Sequence, residues 1–335
     1  MRDAELLGRA RAGDGEAFAE LTEPYRRELL AHCYRMLASA QDAEDAVQET
    51  MLAAWQGLGS FQERASLRTW LYRIATNRCL NALRSAKRRP AMHETHAHDD
   101  AQEPPRISEV TWLEPYPDLL LEAVADHEPG PEARYEATEA ISLAFITALQ
   151  LLPPRQRAAL ILCDVVGHRA GEVADMLGTT YGAVASALKH ARATMARHAA
   201  EVGDEPPPTP HTPAERDLID KLTSAYAAAD LDSLLALLAD DIRLTMPPHP
   251  FEYHGRAFAA RGIGQLFAQG HQYRLIETRA NGQPAFALYR KDPHAGILHA
   301  NGLLVVTLAG THISALTMFT ASVLGRFGLP RTLPA

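Results

Sequence analysis

The chain has 335 residues, 47% hydrophobic and 7% aromatic, which suits two or three small globular domains rather than one. No apolar run reaches the roughly 18 residues that a bilayer span needs, and the N-terminal stretch lacks the continuous apolar core of a signal peptide, so neither is expected. Three widely spaced cysteines (Cys33, Cys79, Cys163) argue against a disulfide framework and for a reducing cytoplasm. The formal net charge of −8 is distributed unevenly: residues 90–138 hold 2 Lys/Arg against 12 Asp/Glu, whereas no Asp or Glu occurs from Arg64 through Met92.

Residues 1–89 read as helices. Leu6, Leu7, Ala10, Phe18, Leu21, Tyr25 and Leu29 recur at helical spacing. "DAEDAVQETMLAAWQGL" opens with acids that suit a helix N-terminus and places Ala46, Val47, Leu52 and Trp55 near one face. "TWLYRIATNRCLNALRSAKRR" (69–89) follows, with Leu71, Ile74, Ala75, Cys79 and Leu83 as an apolar stripe. Here Trp70 and Tyr72 are interleaved with Arg68, Arg73, Arg78 and Arg84. That composition suits single-stranded nucleic acid, because bases stack on rings while guanidinium groups hold phosphates. A half-buried basic helix that touches only duplex phosphates fits the same residues.

Residues 90–138 are proline-rich, acidic and aperiodic, and read as a linker. Within them "WLEPYPDLLLEAVAD" (112–126) is apolar enough to dock as a short helix. "HETHAHDD" (93–100) holds metal-ligand residue types, but no rigid scaffold surrounds it, and no metal site is expected. Residues 139–202 are helical again, with Pro154 suited to the first helical position. "EVADMLG" followed by "TTYGAVASALKHA" has helix–turn–helix spacing. Val173, Met176 and Leu177 form the buried face of a first helix, Gly178 turns the chain, and Val184, Leu188 and Ala191 bury the back of a second. Thr179, Thr180, Tyr181, Ala183, Ser186, Lys189 and His190 face outward, where a recognition helix presents residues to a major groove. An ordinary helical hairpin has the same spacing.

A proline linker (203–213) leads to residues 214–335. Two helices, "AERDLIDKLTSAYAAA" and "LDSLLALLADD", precede strand-like runs "IRLTM", "YRLIETRA", "PAFALYR", "GLLVVTLAG" and "HISALTMFT". This predicts an α+β domain.

The basic segment and the helix–turn–helix, in this order, resemble the extracytoplasmic-function group of sigma-70-type factors, which direct RNA polymerase to promoters. The resemblance covers residues 1–89 and about 139–200. It implies two all-α domains, sigma region 2 (1–89) and helix–turn–helix region 4 (139–202), followed by an α+β cone resembling the SnoaL-like, ketosteroid-isomerase-like fold (214–335). The implied partners are core RNA polymerase, through its clamp and flap, and promoter DNA at −35 and −10. No membrane partner and no cofactor are implied. Asp42, Asp45, Gln48 and Glu49 would meet the clamp. Phe61, Arg64 and Ser66 would border a pocket for a flipped −10 base, and Trp70, Tyr72, Arg73, Asn77 and Asn81 would handle the melted strand or adjacent duplex. Arg169, Thr179, Thr180, Tyr181, Ser186, Lys189, His190 and Arg192 would meet the −35 element. Ala185 and Ala187 stand where such factors usually carry a basic residue, which predicts weakened −35 contact. The linker would thread a basic polymerase channel, and its Trp112 motif would dock on the C-terminal domain. In the cone, Tyr226, Asp240, Asp241, His249, Tyr253, His299 and Asn301 are the candidates for proton transfer or for a small-molecule ligand, although Asp240 and Asp241 are expected at a helix end. The expected function is a non-enzymatic, cytoplasmic initiation factor tuned in cis by its C-terminal domain. The rivals are a polymerase-independent DNA-binding regulator and a SnoaL-like enzyme fused to a DNA-binding module.

Overall fold

The computed structural model describes residues 2–86, 106–107, 113–122, 141–202, 207–249, 251–270, 272–292 and 294–334. The chain divides into two compact units, Met1–Met92 with Leu119–Glu201 and His93–Asp118 with Val202–Ala335. Lys87, Arg88, Arg89, the 93–100 run and Trp112 lie outside the described residues.

The first unit is helical. It begins with α1 (Arg2–Arg11), α2 (Gly15–Leu37), α3 (Ala40–Gly57), a 3₁₀ turn (Leu58–Ser60) and α4 (Leu67–Ala86). Asp14 accepts hydrogen bonds from the Glu16 and Ala17 amides, and Ser39 from the Asp42 amide, so α2 and α3 each start on a side-chain cap worth about 1 kcal/mol. Leu29, Cys33 and Met36 of α2, Ala43, Val47 and Ala54 of α3, and Leu71, Ala75 and Cys79 of α4 form the buried seam. Leu52, which the periodicity assigns to the buried side, is instead 58% exposed. Its neighbours at helical spacing, Glu49 and Gln56, are exposed as well.

The same unit continues with α5 (Leu119–Glu122), α6 (Leu143–Gln150), α7 (Pro154–Leu160), which runs into a π turn (Ile161–Val165), then α8 (Ala170–Leu177) and α9 (Tyr181–Val202). Gly178 makes the turn between α8 and α9 at φ 59°, a left-handed conformation that glycine adopts without a Cβ clash. Val173, Met176, Leu177, Val184, Leu188 and Ala191 are buried there, as the spacing predicts. Of the expected 112–126 helix, residues 113–117 are not helical and Leu119–Glu122 forms a turn of helix, while 112 and 123–126 lie outside the described residues. Pro115 and Pro117 remove two amides and push the residues before them out of the helical region.

The second unit comprises β1 (Arg106–Ile107), α10 (Pro213–Ala227), α11 (Leu231–Leu237), β2 (Leu238–Thr245), β3 (Phe251–His254), α12 (Arg256–Ala268), β4 (Tyr273–Ala280), β5 (Gln283–Lys291), β6 (Ile297–Ala309), β7 (His312–Thr320), a 3₁₀ segment (Ala321–Phe327) and β8 (Thr332–Pro334). The strands form one sheet in the order β1-β3-β2-β7-β6-β5-β4, with β8 paired to β6. Only β2 and β7 run parallel among these pairs. The helix expected over "LDSLLALLADD" stops at Leu237, and Asp240 and Asp241 stand in β2 rather than at a helix end. Leu238 and Ile242 are buried and the acids between them are exposed, a departure from strict strand alternation that coincides with the register shift between Leu238 and Arg243 in the pairing of β2 with β7. Leu222, Tyr226, Leu234, Ile242, Phe286, Leu288, Val306 and Leu316 belong to that core.

Candidate nucleic-acid interface

Asp42, Asp45, Gln48 and Glu49 share an exposed face of α3. Leu52 lies on the same face one turn on, an exposed apolar side chain between polar ones. The sequence reading missed it, although the 42–45–49–52 spacing carries the signal.

Behind α3, an open pocket of about 550 Å³ is lined by Ala53, Ser60, Trp70, Arg73, Ile74, Asn77, Arg78 and Asn81. Four residues predicted for the melted strand, Trp70, Arg73, Asn77 and Asn81, therefore meet around one depression. The helix explains this, because 70, 73, 77 and 81 recur on one face of α4. Phe61 is buried and packs its ring on Trp70, centroids 4.9 Å apart, so it props the pocket's aromatic wall. Arg64 is exposed in the loop before α4. The Ser66 hydroxyl caps α4 by accepting from the Thr69 amide. Arg78 and Ser60 line the pocket without having been assigned to it, and Arg78 also approaches Glu49 at 3.9 Å.

Tyr72, expected among the strand-binding residues, is instead 2% exposed and lies on the opposite side of α4 from the pocket. Its hydroxyl donates to Glu28, which also accepts two hydrogen bonds from the Arg68 Nε–H and one from Arg68 Nη2, and the Arg68 guanidinium lies 4.9 Å above its ring. Burial, with the Glu28 charge beside it, raises the Tyr72 hydroxyl well above the usual phenol range. The helical period places 72 away from 70 and 73, and a count of aromatics does not reveal that.

On the helix–turn–helix, Arg169, Thr180, Tyr181, Ser186, Lys189 and His190 are exposed and Thr179 is half-buried. Tyr181 is an aromatic side chain left 66% exposed. Thr180 caps α9 through the Ala183 amide. Arg192 is turned toward Asp164 of the π turn, to which Nε and Nη2 donate at 2.9 and 2.7 Å, so its charge is already engaged. Ala185 is exposed on α9 and Ala187 partly so, so neither of these positions offers a basic side chain.

The cone candidates do not converge. Tyr226 alone enters the apolar core, edge-on to Phe267 and Tyr273, and burial raises its hydroxyl above the usual range. Tyr253 stacks on Phe258 at 4.2 Å. Asp240, Asp241, His249, His299 and Asn301 are exposed, with Asp240 paired to Arg256 and His299 to Asp292. The 113–118 segment does dock on this domain. Tyr116 is 1% exposed and exchanges two hydrogen bonds with Asn281, and Asp118 accepts from the Gly282 amide. Upstream, β1 adds to the β3 edge, with Arg106 opposite Glu252.

Two helical regions, one with an open pocket lined by Trp70, Arg73 and Arg78 and one with a helix–turn–helix, together with a helix-and-sheet cone, define a sigma-type architecture. The comparisons agree. Residues 21–89 match Sigma-70 region 2, residues 142–195 match Sigma-70 region 4, and residues 216–315 match a SnoaL-like domain. The ECF RNA polymerase sigma factor SigG of Mycobacterium tuberculosis is 41% identical over 339 residues, spanning 98% of this chain and 89% of that protein. SigM of the same organism is 35% identical over 195 residues, covering 58% of this chain and 83% of its own length. The crystal structure of the extracytoplasmic-function sigma factor SigJ of M. tuberculosis aligns over 93% of this chain and 99% of its own, with a TM-score of 0.60 at 21% identity, which shows a shared fold. The chain belongs to the ECF group of RNA polymerase sigma factors. Among the described residues, no helix is long and apolar enough to cross a membrane.

Proposed function

We propose that the chain is a cytoplasmic, non-enzymatic initiation factor that binds core polymerase through the exposed face of α3, captures a melted −10 strand in the Trp70 pocket and meets −35 DNA with the start of α9. The pocket carries this reading. A ring for stacking, two arginines for phosphates and two asparagines for base edges line one open depression. Its only nearby acid within ion-pair range is Glu49, at 3.9 Å from Arg78 among the described residues.

Control in cis works through the linker. The segment joining regions 2 and 4 is bonded to the C-terminal domain at Tyr116 and Asp118, so that domain limits the linker's freedom. The apolar filling of the cone favours this regulatory role over proton transfer, which needs titratable groups facing one cavity. Transcription by core polymerase on fragmented genomic DNA, with and without the full chain, tests the reading. New start sites dependent on the protein are expected, and their absence together with absent core binding overturns it. A truncation ending near Val202 and a point variant at Asn281 then separate removal of the domain from release of the linker.

A further inference from the structure

Within the first unit, helices of region 4 pack on α2 and α4 of region 2. Two clusters hold this seam. In one, Arg157 of α7 is 4% exposed and donates to the carbonyl of Met36, in the last turn of α2, at 2.5 Å. It also donates to Gln150 and Leu152. The Met36 carbonyl is among those a helix end leaves unpaired, so region 4 caps a region 2 helix. Burial lowers Arg157 only to about 10, and it stays charged at neutral pH beside Cys79.

The other cluster is aromatic. His168, just before α8, sets its ring edge-on to Tyr72 at 5.5 Å, and Tyr72 sits edge-on to His32 of α2 at 5.1 Å. His32 is fully buried, with Nε2 against the Thr76 hydroxyl, and His168 is 9% exposed. Among the described residues, neither His32 Nδ1 nor His168 Nε2 has a hydrogen-bond partner. A neutral imidazole tolerates such a place, whereas an imidazolium needs both nitrogens to donate.

We propose that this seam is a proton-operated latch: protonation of His168, with His32 behind it, parts region 4 from region 2 and uncovers Tyr72. The surrounding charges set its direction. His168 faces Arg68 of α4, Glu28 of α2 and Glu172 of α8, and Glu28 already binds both Arg68 and Tyr72. His32 faces Arg35 and His168, with no carboxylate among the groups that shift it. Burial first, and the neighbouring cations second, hold His32 down at about 3 and lower His168 as well. Both groups therefore bind protons more weakly in the closed form. The closed form keeps its full advantage above the ordinary histidine value near ~6.5 and loses it as pH falls from there toward the closed-state values. His32 stays inside region 2 against Thr76, so the imidazole released on opening is His168, and its return to the ordinary value shifts the open-to-closed ratio by at most roughly tenfold between pH 7.5 and 5.5. The latch itself stands on the seam geometry, and its consequence for promoter contact rests on the sigma-factor reading.

The test is single-molecule energy transfer on the full chain in a Cys163→Ser background, with dyes at Glu16→Cys on α2 and Ala196→Cys on α9, since Cys33 and Cys79 are buried. A several-fold gain in the open population, at most on the order of tenfold, is expected from pH 7.5 to 5.5, with far-UV circular dichroism unchanged. His168→Phe keeps a ring edge on Tyr72 and should flatten the response. Where that variant is already open at pH 7.5, His168→Gln takes its place. A pH-independent signal in the parent chain overturns the latch, as does opening that coincides with loss of helix, or the same pH midpoint in the substituted and parent chains. Neither polymerase nor DNA is present, so this outcome is independent of the transcription assay.

Discussion

Asn281 and Tyr116, 165 residues apart, hold each other by two hydrogen bonds: the Tyr116 amide donates to Asn281 Oδ1 at 2.8 Å, and the Asn281 amide donates to the Tyr116 carbonyl at 2.9 Å. Asn281 and Gly282 occupy the β4–β5 turn with positive φ, the conformation in which an Asn-Gly hairpin turns. The same turn that closes the hairpin thus presents a side-chain acceptor and an amide to the linker. Pro117 bridges Ala280 alongside, and Arg279 approaches Asp118 at 3.5 Å.

Asn281→Gly keeps the left-handed turn and removes the carboxamide whose Oδ1 accepts from the Tyr116 amide. The buried Tyr116 amide then loses its partner, at a cost of about 1–3 kcal/mol to docking. Hydrogen exchange at the Tyr116 amide should speed up by roughly tenfold or more, while amides of β5 and β6 keep their protection. Unchanged exchange at Tyr116 would show that the other contacts hold the linker unaided.

Much of this was legible in the sequence, for local reasons. The α8–α9 hairpin follows from Gly178 and from apolar residues at helical spacing, and the residues around the pocket are one face of a regular helix. The missed features depend on long-range contacts. Tyr72 looks like a nucleic-acid ligand until α2 brings Glu28 and His32 against it. Leu52 looks like core because it is apolar, yet among the described residues its face of α3 is left exposed. The end of α11 at Leu237 is fixed by pairing of Leu238 with Ile313, 75 positions on, and no local propensity of "LLALLADD" announces it.

Leu52 is expected to contribute to the proposed polymerase contact, since a partner lying on this face of α3 would remove the exposed leucine side chain from water. Leu52→Ala should weaken core binding by about 1–2 kcal/mol, roughly five- to thirtyfold, with no change in melting temperature. Fluorescence anisotropy against labelled core polymerase measures it. An unaltered affinity would remove this face of α3 from the interface.

Trp70→Ala should cost about 1–3 kcal/mol in binding to a −10 single strand or a fork junction, the worth of one stacked base. Duplex affinity should change less. Arg73→Ala should lower affinity for every sequence alike and flatten the salt dependence by about one counterion. Measuring both variants as holoenzyme, from 50 to 200 mM salt, separates stacking from charge. Equal losses on duplex and single strand with Trp70→Ala would mean that the ring only supports Phe61 and the helix.

The exposed alanines of α9 allow a gain of function to be tested. Ala185 occupies the recognition face, next to Ser186 and one turn before Lys189, and its methyl group cannot reach a phosphate. Ala185→Arg supplies a cation there without disturbing the buried Val184, Leu188 and Ala191, and arginine is a good helix former. Affinity of the holoenzyme for −35 duplex should rise several-fold at low salt, with the salt slope steeper by about one. Discrimination between promoters should fall, because a phosphate contact favours all sequences equally. A variant that binds no more tightly at 50 mM salt would place Ala185 off the DNA.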